Sequence, residues 1–138
     1  MTEYRTNFRR ANKNDLQSVY VLHLKNRKYY VGITPTWKLE DRWEDHHCRD
    51  KNRGARWTNR WQPIEKIKVY KDISYDEAVI LEQDTVKKIM RIAGLDSCRG
   101  GKWNMWSMGD TWWVPDELKN VPRIVNESDV HESILEML

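Results

Sequence analysis

No stretch of this chain approaches the ~18 uninterrupted apolar residues that a membrane-spanning helix needs. The opening MTEYRTNFRR has no apolar segment of the secretory type, so an intracellular protein, cytoplasmic or nuclear, is expected. Cysteine is scarce: Cys48 and Cys98 are the only two, too few and too far apart for a disulfide framework or a paired-thiolate zinc motif. Six glycines and four prolines exclude a collagenous or low-complexity chain. Phenylalanine occurs once. No internal repeat is visible.

What is present fits one compact domain of 138 residues, with 39% hydrophobic side chains to build a core. The net charge of +3 hides an asymmetry. Residues 1–70 hold 16 Lys/Arg against 8 Asp/Glu, whereas residues 71–138 hold 8 against 13. A basic half with interleaved aromatics is the electrostatic footprint of a nucleic-acid partner; a lopsided solvated surface is the plainer reading of charge alone. Eight tryptophans sharpen the question, because Trp packs cores but also stacks on bases and fills partner pockets.

Residues 1–16 read as a basic arm. SVYVLHL (18–24) and YYVGIT (29–34), separated by KNRK, read as a β-hairpin. Pro35 ends the second strand, and Thr36 is placed to cap a helix reaching about Cys48. Residues 49–61 read as a basic loop, and IEKIKVYKDI (64–73) as a third strand. Ser74 with Glu77 forms a capping box for a long helix that Gly94 closes. Residues 95–126 show no period, and a last amphipathic helix spans about 127–138. The expected fold is α/β of the α+β type: a small three-stranded, mostly antiparallel sheet flanked by helices.

Glu82 is the most informative residue. At ~100° per residue, Ala78, Ile89, Ala93, Val86 and Val79 all fall within roughly 60° of it, so it sits inside the apolar stripe. An unpaired carboxylate there costs several kcal/mol and must meet a cation, a metal ion or water in a cleft. A buried Glu–Arg pair without function is the competing explanation. Arg42 and His46, four residues apart on the first helix, project from the margin of the face carrying Leu39 and Trp43. Arg42 can pair with Glu82 or hold a phosphate, and His46 can accept a proton. His46, His47 and Cys48 are no zinc site, because adjacent helical residues point about 100° apart. His23 and His131 have no neighbouring ligand pattern.

Ser18-Val19-Tyr20 followed by Tyr30-Val31-Gly32 resembles the paired signature of the GIY-YIG nucleases, with the first Gly-Ile relaxed to Ser-Val. Leu39-x-x-Arg42 resembles the Leu-x-x-Arg of the family's first helix, and His46 falls four residues on, as in a subset of members. Gly54-Ala55-Arg56-Trp57-Thr58 resembles the Gly-Ala-Lys-Tyr-Thr segment of the small stand-alone branch. Ala78-x-x-x-Glu82 resembles the helix that bears the metal-binding carboxylate. The resemblance covers about residues 17–94 and departs in two places. Gly94 stands where many members place an Asn, for which Asn104 is a candidate substitute, and Ile33 stands where many have Lys.

The resemblance implies a metal-dependent endonuclease that hydrolyses phosphodiester bonds, in DNA rather than RNA. Glu82 would hold one Mg²⁺ or another divalent cation such as Mn²⁺, and Arg42 would stabilise charge on the phosphate. Tyr20 would activate or position water, with His46 the rival base and Tyr30 in support. Arg53, Arg56, Arg60 and Lys102 would bind nucleic-acid phosphates. Residues 17–104 would form the nuclease domain, and 105–138 a Trp-rich extension packed on it. The alternative function is a catalytically weak binding or assembly module whose Trp-rich tail grips a partner.

Both tyrosines serve one site only if they share a sheet face, which requires paired residue numbers with an even sum. A three-residue loop, Asn26–Lys28, with Leu24 opposite Tyr30, meets that condition.

Overall fold

β-Branched and aromatic residues set Gln17–Leu24 (β1) against Lys28–Pro35 (β2) as antiparallel neighbours. The computed structural model describes residues 12, 14–47, 56–101, 103 and 114–138, with the Arg56 side chain outside that set. The hairpin loop has three residues but starts one earlier than expected: Lys25–Arg27 turns the chain, and Leu24 faces Lys28 rather than Tyr30. Asn26 and Arg27 supply the left-handed backbone, at φ 61° and 62°. The paired numbers still sum to an even value, so Tyr20 and Tyr30 project from one face.

β1 also pairs antiparallel with Pro63–Ile73 (β3), through a register broken by bulges. Cys98–Gly100 (β4) adds to the other edge, parallel to β2. The sheet is therefore mixed and four-stranded, in the order β3-β1-β2-β4, where three mostly antiparallel strands were expected. The added strand has three residues, one of them glycine, which is too short to show any period.

Leu39–His47 (α1) follows a short 3-10 turn, Thr36–Lys38, and Thr36 does not cap it. Its hydroxyl instead meets Ser18 Oγ at 2.7 Å, tying the helix entry to β1. Arg56–Arg60 (α2) is helical where a loop was expected. Tyr75–Ala93 (α3) has the predicted start, with Glu77 N–H donating to Ser74 Oγ at 3.3 Å. It also has the predicted end: Gly94 takes φ 104° and its N–H bonds Met90 O at 2.7 Å. Val130–Met137 (α4) begins three residues later than expected.

The pleat divides the interior. Val19, Val21, Tyr29 and Val31 pack with Val86, Ile89 and Met90 of α3 and with Val130 and Ile134 of α4. Tyr20, Leu22, Leu24 and Tyr30 pack on the other face with Leu39 and Trp57. Ile89 is fully buried, so truncating it to Ala is expected to cost about 2–5 kcal/mol. Val114 and Leu118 join the first of these clusters. Among the described residues no helix is long and apolar enough to cross a membrane.

Candidate active site

The hairpin, α1 and α3 bring five side chains of opposite chemistry together. Tyr20 and Tyr30 come from the shared face of β1 and β2, with ring centroids 6.3 Å apart. The His46 ring lies 5.6 Å from Tyr20 and 5.0 Å from Tyr30. Sequence periodicity puts His46 at the margin of α1. It is instead wholly buried, and Trp43 is the half-buried residue.

Tyr20 Oη and His46 Nε2 stand 2.6 Å apart, and His46 Nδ1 is 2.9 Å from Thr58 Oγ1. The consistent assignment has Nδ1–H donating to the threonine and Nε2 accepting from the phenol. Burial, then the neighbouring Arg42 charge, pushes the His46 imidazolium down to about 3, so the ring is neutral at physiological pH. Burial, then Tyr30, raises the Tyr20 phenol well above its ordinary value, and burial raises Tyr30 as well.

Arg42 makes side-chain hydrogen bonds to both phenol oxygens. Burial alone would lower its guanidinium, but the two tyrosines outweigh that effect and raise it. Asp45, one turn on, lies 3.8 Å from Arg42 Nη1 and orients the fork. The Arg42 side chain keeps 30% of its surface exposed, so this cation can be reached from outside.

Glu82 approaches from α3 and is 6% exposed. The Gly101 N–H donates to its carboxylate, and it lies within electrostatic range of both phenols. Burial pushes the carboxyl up to about 7, against the pull of that hydrogen bond. Among the described residues Glu82 makes no ion pair, so the Glu82–Arg42 pair allowed by sequence is not formed. A buried carboxylate with spare oxygen lone pairs and no cationic partner is a donor suited to a hard divalent ion.

Two glycines fix this geometry. Gly32 lies beneath the Tyr20 ring, where any Cβ would collide with the phenol. Gly94, at the position where many family members carry an Asn, sits at positive φ against the Arg123 carbonyl. A side chain is strained and obstructed there, so Gly94 serves the helix end. Asn104 lies outside the described residues, as do Arg53 and Lys102.

Arg60 is described and stacks on Trp61, its guanidinium carbon 4.9 Å from the ring centroid. Lys28 Nζ lies 5.4 Å from the same ring. Trp57 N–H donates to Tyr29 O at 2.8 Å, and the buried Arg99 stacks on its ring at 4.4 Å. These cation–aromatic contacts make a basic ladder beside the phenols.

Two contributors escaped sequence reasoning. Thr58 holds His46, and its signal was available, because it closes the Gly54–Thr58 segment. Arg99 is 1% exposed and bonds the carbonyls of Leu95 and Cys98 at 2.8 and 2.7 Å, with no sequence pattern to announce it.

A mixed sheet flanked by helices thus has a carboxylate, a guanidinium, two phenols and an imidazole converging beside it. The model of the GIY-YIG catalytic domain matches residues 17–91, more than half of the chain, and the protein belongs to the GIY-YIG family. That family is one of endonucleases, which makes nucleic acid the substrate class. No curated protein and no solved structure matches the chain.

Proposed function

We propose that the protein is a metal-dependent endonuclease that hydrolyses phosphodiester bonds, in DNA rather than RNA. The observation that carries this reading is Glu82: a buried carboxylate beside two phenols and a guanidinium, without a cationic partner among the described residues. Glu82 would hold Mg²⁺, or a similar divalent ion such as Mn²⁺. When bound, that ion supplies charge at the scissile phosphate and acidifies a coordinated water.

The chain's own residues do the rest. Arg42, partly exposed and already aimed at the phenol oxygens, sets its fork on a non-bridging phosphate oxygen as charge develops there. Tyr20 faces the attacking water, and His46 stands behind it with a neutral imidazole. Tyr20 Oη would accept a hydrogen bond from that water and orient it, while its own O–H stays directed at His46 Nε2 and Thr58 keeps Nδ1 protonated, so that Nε2 remains the acceptor. This arrangement favours Tyr20 as the group at the water and His46 as its positioning partner. Tyr30 shares the Arg42 fork and holds it in place.

Arg53, Arg56, Arg60 and Lys102 are proposed as phosphate contacts that position the strand without reading bases. Their affinity should fall steeply with salt. We read residues 17–104 as the nuclease domain and 105–138 as an extension packed on it. The core shared by Val130, Ile134 and Ile89 supports the packing of that extension on the domain.

The test is incubation with supercoiled plasmid, single-stranded DNA and RNA, in Mg²⁺, Mn²⁺ or EDTA. Metal-dependent nicking of plasmid is expected, and it should be absent in Glu82→Gln. Binding without cleavage in every metal would favour the inactive binding module instead.

A further inference from the structure

On the opposite face of the sheet, far-apart sequence positions form a second polar cluster. His23 lies near the end of β1, Glu65 is its cross-strand partner on β3, and His131 sits in the first turn of α4. One ligand atom from each, two imidazole nitrogens and a carboxylate oxygen, lies within 4.8 Å of the others. The two imidazole rings stack with centroids 4.1 Å apart and planes 28° from parallel. Tyr29 Oη, from the neighbouring strand, stands 2.6 Å from His131 Nδ1.

We propose that His23, Glu65 and His131 form a binding site for a borderline transition-metal ion of the Zn²⁺ type, which fastens α4 to the sheet. Two imidazoles and one carboxylate are a donor set that Zn²⁺ takes readily and Mg²⁺ does not, since Mg²⁺ requires oxygen ligands. The site is therefore chemically distinct from the one at Glu82. Tyr29 supplies an outer contact: with Nδ1–H donating to the phenol oxygen, His131 presents its Nε2 lone pair to the ion.

Ligand atoms around a tetrahedral ion at ~2.0–2.1 Å stand about 3.4 Å apart. From up to 4.8 Å the cluster must contract by as much as about 1.4 Å, and the stacked rings must tilt away from each other. Glu65 is exposed and His131 half-buried at a helix start, so both have room to move. The exposure at Glu65 leaves a fourth position for water. A helix of eight residues is marginal by itself, and a metal bridge to β1 and β3 would hold its first turn in addition to the Val130 and Ile134 contacts.

The full chain, stripped with chelator and then freed of it, is titrated with Co²⁺ as a spectroscopic probe and with Zn²⁺ as competitor. A saturable visible absorption at one equivalent is expected, displaced by Zn²⁺ and unaffected by Mg²⁺. His23→Gln and His131→Gln should weaken binding at least a hundredfold, Tyr29→Phe about tenfold, and Glu82→Gln not at all. Zn²⁺ should raise the melting temperature of the wild type and of Glu82→Gln, but not of His131→Gln. Circular dichroism separates loss of ligand from loss of fold, and Tyr29→Phe keeps the ring packing if the histidine variants unfold. Absence of a saturable band, or a band that survives both histidine changes, overturns the proposal. A band lost in Glu82→Gln overturns it too, since the ion would then sit at the other site.

Discussion

Two tyrosine–histidine pairs lie on opposite faces of one hairpin, and both have 2.6 Å between phenol oxygen and ring nitrogen. Tyr20–His46 is sealed beside Arg42, where burial and the guanidinium together hold the imidazole neutral far below its ordinary range. Tyr29–His131 opens at the surface, where a second imidazole and a carboxylate stand within reach. The same two groups thus meet in two environments, and in the proposed roles the bond runs in opposite directions. The Tyr20 phenol donates to His46, whereas His131 donates to the Tyr29 phenol and turns its other ring nitrogen outward. What differs is the charge beside each pair and its access to solvent, and both follow from which helix covers that face.

The comparison breaks first at its carboxylate. Glu82→Gln removes the charge that a divalent ion needs, so cleavage should fall beyond detection while the fold survives, as plasmid nicking and a thermal melt report. At pH 8 the ionised Glu82 of the metal-free wild type is a burden, since its carboxyl is raised from 4.5 to about 7. The variant should therefore be more stable there by up to about 3 kcal/mol. A loss of 3–5 kcal/mol would instead mean that a buried ion pair had been broken.

Next come the two phenols. Tyr20→Phe should lower the cleavage rate roughly 10²-fold, the cost of losing the group that orients the attacking water. Tyr29→Phe should change it far less. Arg42→Lys keeps the charge but loses the fork, and a drop of about 10²–10³ in single-turnover rate is expected.

Stability against pH separates the two faces further. His46 falls from 6.5 to about 3 on folding, so its contribution is complete above pH 6.5 and is lost as pH falls toward 3. Glu82 acts in the opposite sense. Its carboxyl is raised, so the stability it gives is complete below pH 4.5 and is lost as pH rises through 7. Between about 4.5 and 6.5 the two trends oppose each other in the metal-free protein. Chemical denaturation across that range should be nearly flat for wild type and should rise with pH in Glu82→Gln. A saturating divalent ion should give the wild type the same rise.

The smallest effect is expected at Thr58. Thr58→Val leaves His46 Nδ1 without its partner and should cost about 1–3 kcal/mol, with a modest fall in rate. That rate should drop less than in Tyr20→Phe.

Local signals were readable without coordinates. Ser74 and Glu77 mark the start of α3, Gly94 marks its end, and the mid-stripe position of Glu82 follows from helical periodicity alone. The shared face of Tyr20 and Tyr30 needed only an even register, and it survived a loop displaced by one residue. Contacts across long separations were not readable. β4 has three residues and depends on pairing with β2, and α2 has five and rests on Trp57 packing under the sheet. The depth of His46 depends on Thr58 and the β1 face, so its own helix pattern misplaced it at the margin. His131 meets Tyr29 across 102 positions, and no spacing rule links residues so far apart.

The account stands most directly on the ionisation of one group. Carboxyl carbon shifts of Glu82, followed by NMR against pH, should give a midpoint near 7 in the metal-free protein. Saturating Mg²⁺ should drive that midpoint below the ordinary carboxylate value of 4.5. A Glu82 midpoint at or below 4.5 without metal, or one that Mg²⁺ leaves unmoved, would contradict its assignment as the cation's carboxylate.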